Sequence, residues 1–199
     1  MSEKKIVEEH LQKHTIIEFE HFPDHDSRME TLEFRNAKKE LEKVHHFGCY
    51  ICGSMQNRES HHVFERAFAN GLDFAKVSEW LFKLDFYDFV KRDFKSAEEL
   101  TQWFVQHYNG QPFEYVITYD DGTKSDPKTG YHCDDTALDT LYNQLILCKV
   151  HHRGESTGVH GESTPSFFAW LARKDGYEPT FTKEEADKWE AQYSVKNKK

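Results

Sequence analysis

Two short motifs with metal-binding residues stand far apart in the sequence and share one spacing. Cys49 and Cys52 form a C-x-x-C pair, and Cys148 and His151 form a C-x-x-H pair. Three thiolates and one imidazole make a closed tetrahedral ligand set, which is typical of structural Zn²⁺. The alternative is that these are ordinary buried cysteines with a histidine nearby by chance. Because both motifs stand next to histidine pairs, we favour a zinc site that joins two distant parts of the chain.

The histidines beside these motifs could do hydrolytic chemistry. His61 and His62 follow the first motif, and His152 directly follows the second. An imidazole, with a pKa of about 6.5, can take a proton from water at neutral pH, and neutral histidines can hold a divalent ion on a phosphate. Successive residues of a strand point to opposite faces, so we expect different roles for His61 and His62. A merely structural role for His62 is the alternative.

The elements that position these motifs are predicted to be helices and a hairpin. Residues 28–44 combine good helix formers with spaced apolar side chains, which predicts a helix leading into the cysteines. Residues 74–108 predict two helices, the second capped by Ser96 and Glu99. The alternating, β-branched run 113–119 is followed by turn residues, which favours a hairpin.

The composition indicates one folded domain of ordinary size with extensions. The 199 residues include sixteen Phe, nine Tyr and four Trp, which excludes a disordered chain. No apolar run reaches the roughly 18 residues of a membrane span, and the N-terminus lacks the apolar core of a signal peptide. We therefore expect a cytoplasmic protein with reduced thiols, in which a C-x-x-C pair holds metal. Cys133 is left over and is expected to be a buried thiol.

The charge is concentrated in one internal segment. The net charge of −9 argues against a nucleic-acid binder that works by overall attraction to phosphate. Residues 85–139 alone carry twelve acidic and five basic side chains, a net of −7. This segment would repel DNA, so we expect it to face a protein partner, to shield the site or to form an oligomer contact.

The order of the motifs resembles the HNH endonucleases. The motifs are C-x-x-C, H-H, N and C-x-x-H-H, and they stand in the sequence as CYIC, ESHHVF, YNQLILC and CKVHH. The run HHRGESTGVHGESTPSFFAWL also resembles the C-terminal end of HNH proteins common in bacteriophages. The resemblance covers residues 40–66 and 138–172. It implies a metal-dependent endonuclease that hydrolyses DNA, with the cytoplasm of a phage-infected host as one setting.

The resemblance also implies a fold and its divisions. The fold would be α+β, with a ββα-metal core stabilised by a zinc knuckle. The HNH domain would span residues 45–172, interrupted at about 74–137 by a mostly helical, acidic insert. A helical N-terminal extension would occupy residues 1–44, and a C-terminal helix and basic tail residues 173–199. Because Asn143 lies 81 residues after His62, which is longer than usual in the family, we expect the insert to form its own lobe.

The site residues are implied by position in the family pattern. His62 matches the general base and Asn143 the middle N. His61 and His152 match ligands of a catalytic divalent ion such as Mg²⁺ or Mn²⁺, and His160 is a further candidate ligand. The structural Zn²⁺ would bind Cys49, Cys52, Cys148 and His151, and the phosphate contacts would be Arg58, Lys149 and Arg153.

A second function remains open from the sequence alone. The chain could be a zinc-stabilised binding module on the same scaffold, with cleavage lost or secondary. Its insert would then dock a protein partner or mediate self-association. The acidity of the insert favours this function, whereas the intact set of His61, His62, Asn143 and His152 favours the nuclease.

Overall fold

The fold is a mixed α+β arrangement with two small antiparallel sheets, and the α+β class is the one that the resemblance implies. The computed structural model describes residues 30–154, 159, 171–172 and 174. The α-helices in this part of the chain are α1 (Leu32–Lys39), α2 (Phe74–Leu84), α3 (Phe89–Asp93), α4 (Ala97–His107) and α5 (Lys149–Arg153). The strands are β1 (Arg58–His62), β2 (Gln111–Tyr115), β3 (Lys128–His132) and β4 (Gln144–Cys148). Apart from Lys174, the predicted C-terminal helix and tail lie outside the described residues, as do residues 1–29 of the N-terminal extension.

The helix predicted before the cysteines is confirmed in α1. Thr31 caps its N-terminus, where the hydroxyl accepts a hydrogen bond from the Phe34 amide at 3.0 Å. The helix continues as a π-helical turn over Glu40–Val44. Phe34 of α1 and Leu41 of the turn are both buried. Leu41 packs against Ile146 of β4 and Phe47 of the loop before Cys49.

The insert contains three helices rather than the two that periodicity predicts. Asp85 ends α2 with a left-handed φ of 32°, and its carboxylate accepts hydrogen bonds from the amides of Val90 and Lys91. This side chain therefore starts the short helix α3. Ser96 caps α4 as predicted, accepting from the Glu99 amide at 3.3 Å.

Strands β2 and β3 form a hairpin whose connecting loop is longer than the sequence predicts. Strand β2 ends at Tyr115 and pairs with β3, which begins only at Lys128. The turn residues predicted to close the hairpin instead close a small loop, in which Thr118 forms an isolated bridge with Lys124. The predicted strand is thus confirmed, whereas the loop that connects it to its partner strand is long.

The other sheet joins the two halves of the sequence motif. Strand β1 pairs with β4 in an antiparallel register from Arg58 opposite Cys148 to His62 opposite Gln144. Helix α5 begins directly after β4. The insert therefore leaves at the end of one strand and returns at the start of its partner.

The insert shares its core with the residues that follow β1. The main buried cluster contains Val63 and Phe64 together with Phe74 of α2 and Phe104 of α4, whose rings lie 5.5 Å apart. This differs from the expected separate lobe, because burying Val63 and Phe64 requires the helices of the insert to pack against them. Among the described residues, none of the helices is long and apolar enough to span a membrane.

Candidate metal centre and histidine site

Four metal-binding side chains converge where β4 meets the loop before β1. The ligand atoms of Cys49, Cys52, Cys148 and His151 all lie within 4.8 Å of one another. We call this group the Cys₃His cluster. The Nδ1 atom of His151 lies 3.3 Å from Sγ of Cys148 and 3.5 Å from Sγ of Cys49, and the Sγ atoms of Cys52 and Cys148 are 3.9 Å apart.

These distances fit a tetrahedral zinc ion. With Zn–S bonds of about 2.3 Å and a Zn–N bond of about 2.0 Å, the edges of the tetrahedron are about 3.8 Å between sulfurs and about 3.5 Å between sulfur and nitrogen. The donor set, the spacing and the closed arrangement therefore fit a structural Zn²⁺, as the sequence predicts. The four residues would fill every coordination position, which suits a structural ion rather than a catalytic one.

A tight turn holds the first two cysteines in place. The Cys49 amide donates to the Ser54 carbonyl at 2.8 Å, and the Gly53 amide donates to the Cys49 carbonyl at 2.7 Å. Gly53 has a φ of 71°, which strains any residue with a Cβ atom. A Cβ at Gly48 would lie 2.4 Å from the Gly53 carbonyl oxygen. Both glycines are therefore required to bring Cys49 and Cys52 to the same point.

The environment of Cys49 favours its thiolate form. Burial opposes the ionisation of the thiol, but hydrogen bonds outweigh it and lower its pKa to about 6. The donors are the backbone of Cys148, Cys52 and Ile51 and the side chain of His151. Because thiolate is the form that binds metal, this environment prepares the sulfur for zinc.

A group of three side chains lies on the face of β1 that α5 covers. The rings of His61 and His152 are both buried, and their centroids are 5.2 Å apart. Nδ1 of His152 lies 2.6 Å from Oε2 of Glu59, which also accepts from Nε of Arg153 at 2.9 Å. Glu59 and His61 are two residues apart on β1, so they point to one face of the strand.

The ionisation states in this group suit a metal ligand. Burial lowers the pKa of His152 below its usual value, although Glu59 partly opposes this. Burial also opposes ionisation of Glu59, but the hydrogen bond from His152 and the charge of Arg153 outweigh it and lower the pKa of the carboxyl. A neutral imidazole that donates one N–H to a carboxylate is the usual arrangement of a metal-binding histidine.

The side chain of His62 points away from this group, toward α1. Its Nε2 atom lies 2.8 Å from Oδ1 of Asp139, and its ring stacks on Phe34 with centroids 5.0 Å apart. The other oxygen of Asp139 accepts from the hydroxyl of Thr31 at 2.6 Å and lies 3.0 Å from Nη1 of Arg66. His61 and His62 therefore have different surroundings, as the alternation of side chains along a strand predicts.

A groove of about 310 Å³ runs beside His62, between α1 and β1. Phe34, Ser60 and His62 line it together with charged side chains of both signs. The basic ones are Lys38, Arg66 and Arg153, and the acidic ones are Glu30, Glu59, Glu65 and Asp139. Since Glu59 also binds His152, the groove reaches the edge of the His61–His152 group.

Asn143 has a structural setting. Its side chain is fully buried, and its Oδ1 atom accepts from the Phe64 amide at 2.8 Å. Its Nδ2 atom donates to the carbonyls of Phe64 and Leu138 at 2.9 and 2.7 Å. The side chain thus joins the residues after β1 to the segment before β4.

The remaining predicted site residues have different surroundings. Arg58 donates through Nη1 to the Phe47 carbonyl at 2.7 Å, which supports the loop before the cysteines. Lys149 and Arg153 are exposed on α5. His160 lies outside the described residues. Among the predicted phosphate contacts, only Arg153 lines the groove.

Two acidic residues of the site were not found from the sequence. Glu59 could in principle have been recognised, because it lies two residues before His61 on a strand and its side chain therefore points to the same face. Asp139 could not have been recognised from the sequence, because it lies 77 residues from His62 and its contact with His62 depends on how the whole insert folds.

Comparisons with known proteins add no relative. The chain matches no protein-family model, no curated protein and no solved structure.

Proposed function

We propose that this protein is a metal-dependent endonuclease of the HNH type that hydrolyses phosphodiester bonds in DNA. The observation that carries the proposal is the pairing of the buried rings of His61 and His152 directly beside the Cys₃His cluster. The antiparallel pair of β1 and β4, with α5 directly after β4, supports the proposal, because two strands and a helix are the elements expected of a ββα-metal core. The sequence motifs and this local arrangement therefore support the same function.

In this proposal, His61 and His152 would hold the catalytic ion. The hydrogen bond from Nδ1 of His152 to Glu59 orients that ring and directs its Nε2 lone pair toward a ligand. A bound divalent ion would supply charge stabilisation at the scissile phosphate and at the leaving 3′ oxygen. The lowered pKa of His152 keeps the imidazole neutral, as metal binding requires.

His62 is proposed as the general base that takes a proton from the attacking water. It borders the groove from the face of β1 opposite to His61, so metal binding and proton transfer are divided between the two residues. Arg153 at the edge of the groove would contact a phosphate and orient the substrate. Asn143 would act by holding the segments that carry these groups.

A plasmid-nicking assay tests the proposal. Purified protein is incubated with supercoiled DNA and Mg²⁺, Mn²⁺ or Ni²⁺, and His62→Ala is compared with wild type. We expect wild type to convert the plasmid to nicked or linear form and His62→Ala to lose at least about 10²-fold in rate. His107→Ala is the matched control, since His107 is an exposed histidine on α4. A parallel assay on RNA distinguishes the two nucleic acids.

Two results would overturn this function. One is the absence of cleavage with every ion by a protein that contains zinc and is folded. The other is a His62→Ala variant that cuts as fast as wild type.

The acidity of the insert favours one alternative, a zinc-stabilised binding module. Its twelve acidic and five basic residues over 85–139 would suit a basic protein partner. This alternative predicts that the folded, zinc-loaded protein cuts nothing and that charge reversal on the insert abolishes binding to that partner.

A further inference from the structure

We infer that Asp139 is the positioning residue for His62, fixing the imidazole in the tautomer whose Nδ1 can accept a proton. The inference rests on the proposed function, because it assigns the orientation of the proposed general base. Asp139 is the last residue of the 3₁₀-helical turn Asp135–Asp139, which joins the insert to β4, and it belongs to none of the sequence motifs.

The geometry around Asp139 leaves its carboxylate little freedom. The side chain is fully buried, and Oδ1 lies 2.8 Å from Nε2 of His62. Oδ2 accepts from the hydroxyl of Thr31 at 2.6 Å and pairs with Nη1 of Arg66 at 3.0 Å. Because both oxygens have partners on different elements, the carboxylate cannot rotate without breaking at least one of these bonds.

This carboxylate determines where the imidazole proton lies. A carboxylate only accepts hydrogen bonds, so Nε2 of His62 must be the donor. In a neutral ring the lone pair then lies on Nδ1. The nearest acidic atom to Nδ1 is Oε2 of Glu65 at 3.9 Å, which is beyond hydrogen-bonding distance. Nδ1 is therefore the basic atom of His62.

The plane of the ring is held from a third direction. Phe34 of α1 stacks on His62 with an interplanar angle of 28°, and Thr31, which caps the same helix, bonds Asp139. The N-terminal turn of α1 thus contacts both the base and its carboxylate partner. The helical extension before the cysteines is in this way part of the site.

The network also predicts how an amide would behave in place of the carboxylate. Arg66 can only donate, so the amide introduced by Asp139→Asn would direct its oxygen toward Arg66. Its NH₂ group would then face Nε2 of His62 and donate to it. That arrangement moves the imidazole proton to Nδ1, the atom that must accept a proton. A nearly isosteric change is therefore expected to reverse the tautomer of His62.

Nitrogen NMR of the histidine rings tests the inference directly. In ¹⁵N-histidine-labelled protein at alkaline pH, the His62 signal is identified by its loss in His62→Ala. We expect wild type to show a protonated Nε2 and an unprotonated Nδ1 at His62, and Asp139→Asn to show the reverse. The wild-type spectrum requires no variant, so it decides the inference even where Asp139→Asn does not fold.

The kinetics separate positioning from support of the fold. Asp139→Asn should reduce kcat by about 10²- to 10⁴-fold with little change in KM. The control is Asp135→Asn, because Asp135 is the other carboxylate bound to Arg66, at 2.5 Å, and does not bond His62. We expect it to leave both kcat and the His62 tautomer unchanged.

The possible outcomes are distinct. A wild-type His62 protonated on Nδ1, or a folded Asp139→Asn variant that retains the wild-type kcat, overturns the inference. A wild-type protein that cuts no nucleic acid overturns the proposed function, whereas the tautomer of His62 still reports whether Asp139 orients the ring.

Discussion

Replacing Asn143 with alanine should weaken the junction between the insert and the β1–β4 sheet. Its side chain makes three buried hydrogen bonds to the backbone of Phe64 and Leu138. Each lost bond costs about 1–2 kcal/mol when the backbone partner stays buried. The Leu138 carbonyl still accepts a hydrogen bond from Gln144 at 3.3 Å, so losing the bond to Leu138 should cost only about 1 kcal/mol. We therefore expect a decrease of about 3–5 kcal/mol in the free energy of unfolding.

Urea denaturation of the zinc-loaded protein, followed by tryptophan fluorescence, measures this change. With a slope of about 2 kcal/mol per molar urea, the midpoint should fall by about 1.5–2.5 M. The matched control is Asn36→Ala, because Asn36 is exposed on α1 and its replacement should change stability by less than about 0.5 kcal/mol. An Asn143→Ala variant that loses less than about 1 kcal/mol would refute the role of these three bonds.

Two further predictions concern the thiols. Purified protein should contain about one equivalent of Zn²⁺; Cys52→Ser should lose the metal and unfold at a lower temperature, whereas Cys133→Ser should keep it. Metal analysis measures the zinc content, and calorimetry measures the unfolding temperature. A Cys52→Ser protein with full zinc content would contradict the four-ligand site. Cys133 is fully buried, and burial raises its pKa to about 12. Iodoacetamide at pH 8 should therefore leave Cys133 unmodified until the protein is denatured, as peptide mass spectrometry can measure, and rapid native alkylation of this residue would disprove its burial.

The Cys₃His cluster could be predicted from the sequence because each of its halves is a short local motif. Each half of the Cys₃His cluster is a pair of ligands three residues apart, and thiolate–imidazole chemistry restricts what such pairs bind. The helix leading into the cysteines was confirmed for the same reason, since apolar spacing reports a buried helix face. In both cases the determining interactions lie within a few residues.

The parts that were missed depend on contacts across the fold. Asp85 interrupts an apolar periodicity by adopting a left-handed conformation and capping α3, which spacing alone does not reveal. The partners of His62 come from α1 and from the turn that joins the insert to β4, so neither Phe34 nor Asp139 can be recognised from the residues next to the motif. Periodicity also cannot indicate that Val63 and Phe64 are buried by the helices of the insert.

The pairing of two strands that are distant in sequence constrains the order in which the molecule folds. His62 pairs with Gln144, and closing an unstructured connection of roughly 80 residues would cost about 4 kcal/mol in chain entropy. Contacts among α2, α3 and α4 are closer in sequence and are expected to form earlier. Once they have formed, the two ends meet where the Val63 amide donates to the Asn143 carbonyl at 2.9 Å. We therefore expect the strands to pair after the helices of the insert have packed together, and the Cys₃His cluster, which a Zn²⁺ ion fits, to assemble last. Metal uptake would thus report that folding is complete, whereas in isolated zinc fingers it starts the process.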